Sequence, residues 1–545
     1  MATNLKRSMS QGINIRNALL RVGFFPEVLP PCFDSYNMAR SFKGMIKGME
    51  LSKFHKKSSA YIRYSGTKHD GNRRYYGTVN PIPYFHICHF IGHHWKIFTD
   101  QLNSSLFGLS SFSIGGEKDD RALLIPALSE ITSKMSSKIK YAPYIIKTDI
   151  AQFFPSIYTH SLAWVAHGVQ IAKADTDRSS RTTYFNNLDW FTQQCQNGQT
   201  RGVIVGPDAF RVIAEYIACE IDKLLCKKAK DYIVGGVRHV DDFYIGVRSE
   251  LDGSIVLSHL RDILQNFELQ INDNKTKLLS GLQPIDDIWA QELRNLYVSN
   301  AEYDIERFNY ILDKAFEVSQ RIGSQSPMKL VLRKLDKGKC YLDESWIEIE
   351  PKLQRILFHF PHCLDYSCLL VAKRIAIKKD IDNEGWKNVI ELIIKKSIGA
   401  NHHHEILWLV WLAFVCKIKL SDSLLIDLSK SENGYVKAIL IAGHQAGLCN
   451  IRSLIKLGNN LSTDDEKWLH HLVARSSGYS SARFSGPFAR DFENLVSRKI
   501  RIIDFNKHMK TIANIENEAI SRSKYGYDSE KDDGEEDTFA FDIDW

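Results

Sequence analysis

Hydrophobic positions change their period twice along the 545-residue chain. Apolar side chains recur at helical spacing through residues 81–140 and in part of 1–50, where FPEVLPPCF forms a proline-rich connector. From 143 to 280 strand-like and helical runs alternate. YIIKTDI predicts a short apolar strand ending in an acid, and SLAWVAHGVQ and GPDAFRVIAEYIACEIDKLL predict helices. YIVGGVRHVDDFYIGV predicts a hairpin with Asp241 and Asp242 at its tip, and SIVLSHLRDILQNF and ELQIN predict a closing helix and strand. That order predicts an α+β unit whose antiparallel sheet carries helices on one face. Beyond about residue 300 strand signals fade. KNVIELIIKKSIG, HHEILWLVWLAFVCKI, GYVKAILIAGHQAG, CNIRSLIKLG and EKWLHHLVAR each predict an amphipathic helix, as in a helical repeat stack without a strict period.

Length predicts two to four domains, and 44% hydrophobic with 25% charged residues suits a globular protein with a sizeable core. The longest apolar run, ILWLVWLAFV at 406–415, is too short to span a bilayer, so no membrane association is expected. MATNLKRSMSQGINIRN has no apolar signal core, and the ten cysteines include no CxxC pair, which predicts reduced thiols and a cytoplasmic protein. The net charge of +7 conceals an asymmetry: residues 528–545 carry −8, leaving +15 on the rest. A basic body predicts an anionic partner, with nucleic acid first. Residues 53–80 concentrate seven Lys/Arg against one Asp among aromatic residues and predict a basic hairpin turning at HDGN.

Adjacent carboxylates repel, so the Asp241–Asp242 doublet needs a reason. HVDDFYIG lacks the D-x-D-x-D-G and the closing Glu of a calcium loop, and its apolar flanks do not suit a surface turn. Carboxylates at the tip of a buried hairpin suit Mg²⁺, which takes one or two of them and completes its shell with substrate phosphates. A two-metal site needs a third carboxylate from another element, and Asp149 at the end of YIIKTDI supplies one; taken singly, it reads as a turn or cap residue. HICHFIGHHW (His86, Cys88, His89, His93, His94) has no spacing that fits a structural zinc site and predicts a helix turning rings toward core or nucleic acid. His402–His404 read as exposed polar residues near the start of an apolar helix.

Four stretches together resemble, in order, the palm motifs of reverse transcriptases: TDIAQFFPSIYTHSL (148–162), QTRGVIVGPDAFRVIAE (199–215), RHVDDFYIG (238–246) and FELQINDNKTKLL (267–279). The resemblance covers roughly residues 50–290. It implies that Asp149, Asp241 and Asp242 are catalytic and, with Ile150, hold two Mg²⁺ ions, with Mn²⁺ as a substitute. It implies nucleotide contacts from Arg73 or Arg74, Arg121, Phe153, Phe154, Arg201, Gly202, Pro207 and Lys275. Phe154, five positions after Asp149, matches the steric gate that favours dNTPs; Gly202, Gly206 and Pro207 match the loop along the incoming nucleotide. His239 stands where the family usually has Tyr, Arg201 where many members have Gln, and Phe210 where relatives often have Ser. Those departures put template handling in question and leave the metal ligands intact.

No RNase H or maturase pattern follows, and the helical C-terminal half is similar to that of bacterial defence-associated and abortive-infection reverse transcriptases. The resemblance implies an α+β right-hand polymerase with fingers and an RRM-like palm, followed by an all-α, HEAT-like helical-repeat domain. Its divisions are 1–140 (N-terminal region and fingers), 141–290 (palm), 291–340 (thumb-like or linker helices), 341–522 (helical repeats) and 523–545 (acidic tail). It further implies an RNA template, in some members a dedicated noncoding RNA, a DNA product and dNTP substrates. A homo-oligomer (trimer or hexamer) and priming from a protein hydroxyl are also implied, with Tyr525 and Tyr527 as candidates. A template-independent DNA polymerase, an RNA-dependent RNA polymerase and a catalytically silent RNA-binding scaffold are the alternatives.

Overall fold

A computed structural model describes residues 2–513 apart from 44–56, 110–111, 117–118, 120, 127, 283–287, 297–304, 343–344, 507–508 and 511. Tyr525, Tyr527 and the acidic tail therefore lie outside the described residues.

The chain begins with helix α1 (Ala2–Arg21), which crosses α2 (Pro81–His93) at two glycines. A Cβ on Gly12 would stand 2.2 Å from the carbonyl oxygen of Gly92, so only glycine permits this approach. Asn80 caps α2 by accepting from the Ile82 amide, and prolines occupy its first turn, where a missing N–H is harmless. The histidine-rich stretch is mostly packing: His86 stacks on Phe191 at 5.1 Å and His94 on Tyr184 at 4.8 Å.

The basic segment folds as predicted into an antiparallel hairpin, β1 (Ile62–Thr67) and β2 (Arg73–Thr78). The α+β unit has a four-stranded antiparallel sheet of order β4-β5-β3-β6. Its strands are β3 (Tyr144–Asp149), β4 (Ile233–His239), β5 (Asp242–Val247) and β6 (Lys277–Ser280). The helices beside it are α3 (Leu128–Ile139), α4 (Asp208–Ala229) and α5 (Glu250–Asn266).

Two expectations for this unit change. ELQIN makes only a single bridge, Ile271 to Ile150, and the edge strand forms instead at Lys277–Ser280. Glu268 has left-handed backbone (φ 60°) and a turn closes from Thr276 N–H to Asn272 O, so the chain bends before it can pair. The sheet is also covered on both faces. Ile146, Phe243 and Ile245 join the main core, whereas Ile145 and Val237 pack with Ile131, Met135 and Ile139 of α3 in a second cluster. Adjacent Ile145 and Ile146 are both buried, which a one-faced sheet does not allow.

The C-terminal half is helical: α6 (Ile305–Ile322), α7 (Ser326–Lys337), α8 (Trp346–His359), α9 (Leu364–Ala376), α10 (Asn383–Gly399), α11 (His403–Val415), α12 (Asp422–Ser429), α13 (Gly434–Gln445), α14 (Trp468–Ser476) and α15 (Ala489–Ser497). CNIRSLIKLG does not form the expected helix, and a short parallel pair, Asn460–Ser462 with Arg483–Ser485, follows it. Helix α11, expected to be amphipathic, is instead apolar on all sides after its His403–Glu405 start and is buried from His404 to Phe414. One contiguous apolar core runs from Ile15 to Phe505, so these helices pack directly on the N-terminal half. Residues 32–34 also bond to 502–504 through Asp34 N to Ile502 O (2.8 Å) and Asp504 N to Cys32 O (2.9 Å). Among the described residues no helix is long and apolar enough to cross a membrane.

Candidate active site

The β4–β5 hairpin closes with His239 opposite Asp242, leaving Val240 and Asp241 as a two-residue loop. Val240 has φ 56°, a conformation that two-residue hairpin loops demand and usually fill with glycine. A β-branched residue is strained there, and something must hold it. Arg238 does. Its Nη1 donates to the Val240 carbonyl at 2.7 Å, and its other donors reach Glu215 and Asp222 of α4 at 2.7–3.0 Å. The side chain has no solvent exposure. Burial works against its charge, and Asp222 and Glu215 more than restore it.

Asp149 lies directly opposite Asp242 across β3 and β5, so these carboxylates share one end of the sheet. The Ile150 amide donates to the Asp241 carbonyl at 3.2 Å, joining the hairpin tip to the turn after β3. One carboxylate oxygen of Asp149 and one of Asp241 are buried without a hydrogen-bond partner. Burial, then the charge of Asp242, pushes the Asp241 carboxyl up to about 7, while the positive charge of Arg74 acts in the opposite sense. Lys275 holds the other Asp149 oxygen at 2.9 Å. Among the described residues no group of three or more His, Cys, Asp or Glu side chains is placed to hold a metal ion. What the site offers is an open set of hard oxygen donors with surplus negative charge, which suits a divalent cation that keeps part of its shell for substrate.

The segment after Asp149 and the glycine loop before α4 are sewn together. Val203 N–H donates to Phe154 O (2.8 Å), Gly202 N–H to Ile157 O (2.7 Å) and Thr159 N–H to Thr200 O (2.8 Å), and Arg201 bridges to Tyr158. Phe153 and Phe154 meet edge to face at 5.7 Å, both buried. Pro207 ends the loop at the start of α4. The β1–β2 hairpin closes on it from the other side, with Gly77 N–H donating to Val205 O at 2.9 Å. Gly206 has φ 134°, and a Cβ there would lie 2.6 Å from Pro26 Cγ and 3.0 Å from Gly77 O. Gly206→Ala is therefore expected to destabilise the protein by roughly 1–3 kcal/mol, read as a lowered urea midpoint.

The structure thus brings Asp149, Ile150, Asp241, Asp242 and Lys275 together at one end of the sheet, with Phe154 and Gly202 tied to each other's segments just beyond Asp149 and Pro207 at the start of α4. Two arginines depart from expectation. Arg73 is turned away and ion-paired to Glu405 of α11 at 2.7 Å. Arg121 is paired to Glu27 at 2.6 Å, in a cluster with Arg211 and Asp208. Burial, with the nearby Glu27, raises the Asp208 carboxyl to about 6 although Arg211 and Arg121 oppose the shift. His239 is buried, and burial with the charges of Arg238 and Arg211 lowers its imidazole to about 4, so it is neutral. Arg238 and Glu215 both stand inside the motifs quoted above, yet nothing in their spacing marks them as a buried ion pair.

No protein-family model matches the chain, and no curated protein matches it. Solved structures similar to it include telomerases. A Candida albicans telomerase in complex with a fragment of telomeric RNA is 12% identical with a TM-score of 0.28, covering 69% of this chain and 68% of that one. An apo telomerase from Candida tropicalis is 12% identical with a TM-score of 0.30, covering 68% of this chain and 73% of that one. Likeness this distant carries no argument about chemistry, which rests on the side chains described above.

Proposed function

We propose that this chain is an RNA-directed DNA polymerase that joins dNTPs at the end of the β3–β5 pair. The observation that carries the reading is the pairing of Asp149 with Asp242 beside Asp241, with buried carboxylate oxygens left without partners. Two Mg²⁺ ions, or Mn²⁺ in their place, would supply charge stabilisation to the attacking and leaving oxygens of an in-line displacement. Asp149, Asp241 and Asp242 would hold them. Lys275 and Arg74 bring positive charge to the position of a triphosphate, and the loop 202–207 backs the nucleotide against the sheet. The Phe154 ring, fixed through its own backbone bond to Val203, sets the wall that a ribose 2′-hydroxyl would meet.

The wider setting belongs to the same proposal and is supported by the motif resemblance: a bacterial, cytoplasmic enzyme of phage defence, oligomeric, copying a cognate RNA. Priming from Tyr525 or Tyr527 falls on residues outside those described. The test is incorporation of labelled nucleotide by the full chain with Mg²⁺, with and without an RNA template. RNA-dependent incorporation of dNTPs supports the reading; incorporation without any template points to a template-independent polymerase, and none at all to a scaffold. Phe154→Ala is expected to shift the preference toward rNTPs by about 10–100-fold, read as the ratio of kcat/KM values.

A further inference from the structure

Two adjacent arginines on one strand project to opposite faces. On β2, Arg73 enters the helical C-terminal half, and Arg74 lies on the opposite face of a strand whose Gly77 N–H donates to Val205 O of the 202–207 loop. An arginine has five N–H donors, and all five of Arg73 are matched. Nε donates to Ser65 Oγ (2.8 Å), Nη1 to Thr67 Oγ1 (2.5 Å) and Glu405 Oε1 (2.7 Å), and Nη2 to Ser65 O (2.6 Å) and Glu405 Oε2 (3.1 Å). Thr67 in turn donates to Glu405 Oε1 at 2.8 Å. Burial alone would raise the Glu405 carboxyl, and Arg73 overrides it, so Glu405 is held below the usual carboxylate range and is charged. Arg73 has no donor left for a phosphate.

The neighbours of Glu405 grip the same hairpin. His403 Nδ1 accepts from Ser65 N (3.2 Å), and His404 Nδ1 bonds the Tyr64 hydroxyl (2.8 Å). Asn433 donates to Arg63 O (2.8 Å), and Tyr435 to Thr78 Oγ1 (2.5 Å). These contacts fix the height and rotation of β2, and with them the position of Arg74. We infer that Glu405 is a positioning residue for the incoming nucleotide: through Arg73 it sets where Arg74 meets the triphosphate, making the start of α11 a determinant of dNTP affinity. The inference rests on the polymerase reading.

The test uses the full chain, measuring KM and kcat for dTTP and, independently, the Kd of a fluorescent dNTP with Mg²⁺. Glu405→Gln keeps the shape and removes the charge. It is expected to raise both KM and Kd about tenfold with kcat within about twofold, because a displaced phosphate clamp weakens binding before chemistry. Arg73→Met should match it, and the double variant should be no worse than either single one, since both break one link. A merely structural role lowers the active fraction, and so kcat, without moving KM. Should Glu405→Gln fail to fold, Thr67→Val, which removes one bond and no charge, decides: a two- to threefold rise in KM and Kd is expected. Unchanged KM and Kd in a folded variant, or loss confined to kcat, overturns the inference alone. Absence of dNTP binding by the parent protein overturns the polymerase reading and this inference with it.

Discussion

Asp241→Asn is expected to reduce dNTP incorporation by about 10³-fold or more, because it removes a donor from the site where charge must be neutralised in the transition state. The same substitution is expected to leave the fold at least as stable when divalent cations are chelated. Asp241 is buried, faces the like charge of Asp242, and has an oxygen with no partner, so its ionised form burdens the folded state. Adding Mg²⁺ should reverse the order. The parent protein gains stability from binding, about 2.7 kcal/mol when the ion stands at a hundred times its Kd, and the variant gains less. Thermal melts with EDTA and with Mg²⁺, run beside the incorporation assay, measure both effects. A variant that melts well below the parent in EDTA, or that keeps the full Mg²⁺ response, contradicts the metal assignment.

The second large effect belongs to Arg238. Arg238→Met fills the same space and strands Glu215 and Asp222 as unpaired charges, with Asp222 wholly buried. The expected cost is about 3–5 kcal/mol, read from urea unfolding. Adding Glu215→Gln and Asp222→Asn should recover a large part of that loss, since the penalty lies in the abandoned carboxylates more than in the missing arginine. Activity should not recover with stability. The Val240 carbonyl would still lack the donor that holds its left-handed backbone, and Asp241 follows Val240 directly.

The hairpin bearing Asp241 and Asp242, the strand ending at Asp149 and the helix Asp208–Ala229 were legible in the sequence, because each carries its own period and its own stop signal. What escaped was set by distant partners. The start of α11 reads as exposed polar residues, yet His404 and Glu405 are buried, because the groups that satisfy them lie on the β1–β2 hairpin, 332 positions from Glu405 in the case of Arg73. Alternation along β2 shows that Arg73 and Arg74 part company, and gives no hint of which faces the aspartates. ELQIN has a strand's composition, and a left-handed residue and a turn withdraw it from the sheet. CNIRSLIKLG has a helix's spacing but runs irregularly between α13 and the short parallel pair. Local pattern governs elements that stabilise themselves, and tertiary contact decides the rest.

The bond from Arg73 to Glu405 also sets a timetable. Synthesis runs from the N-terminal side, and the β1–β2 hairpin leaves the ribosome long before α11 exists. Through that interval Arg73 lacks the carboxylate that holds it, and Cys32 and Asp34 wait longer still for residues 502–504. A ribosome-bound chain could complete its sheet early and yet leave the β1–β2 hairpin without its contacts to α11. The hairpin would then reach its final setting only once the helices that follow had been made.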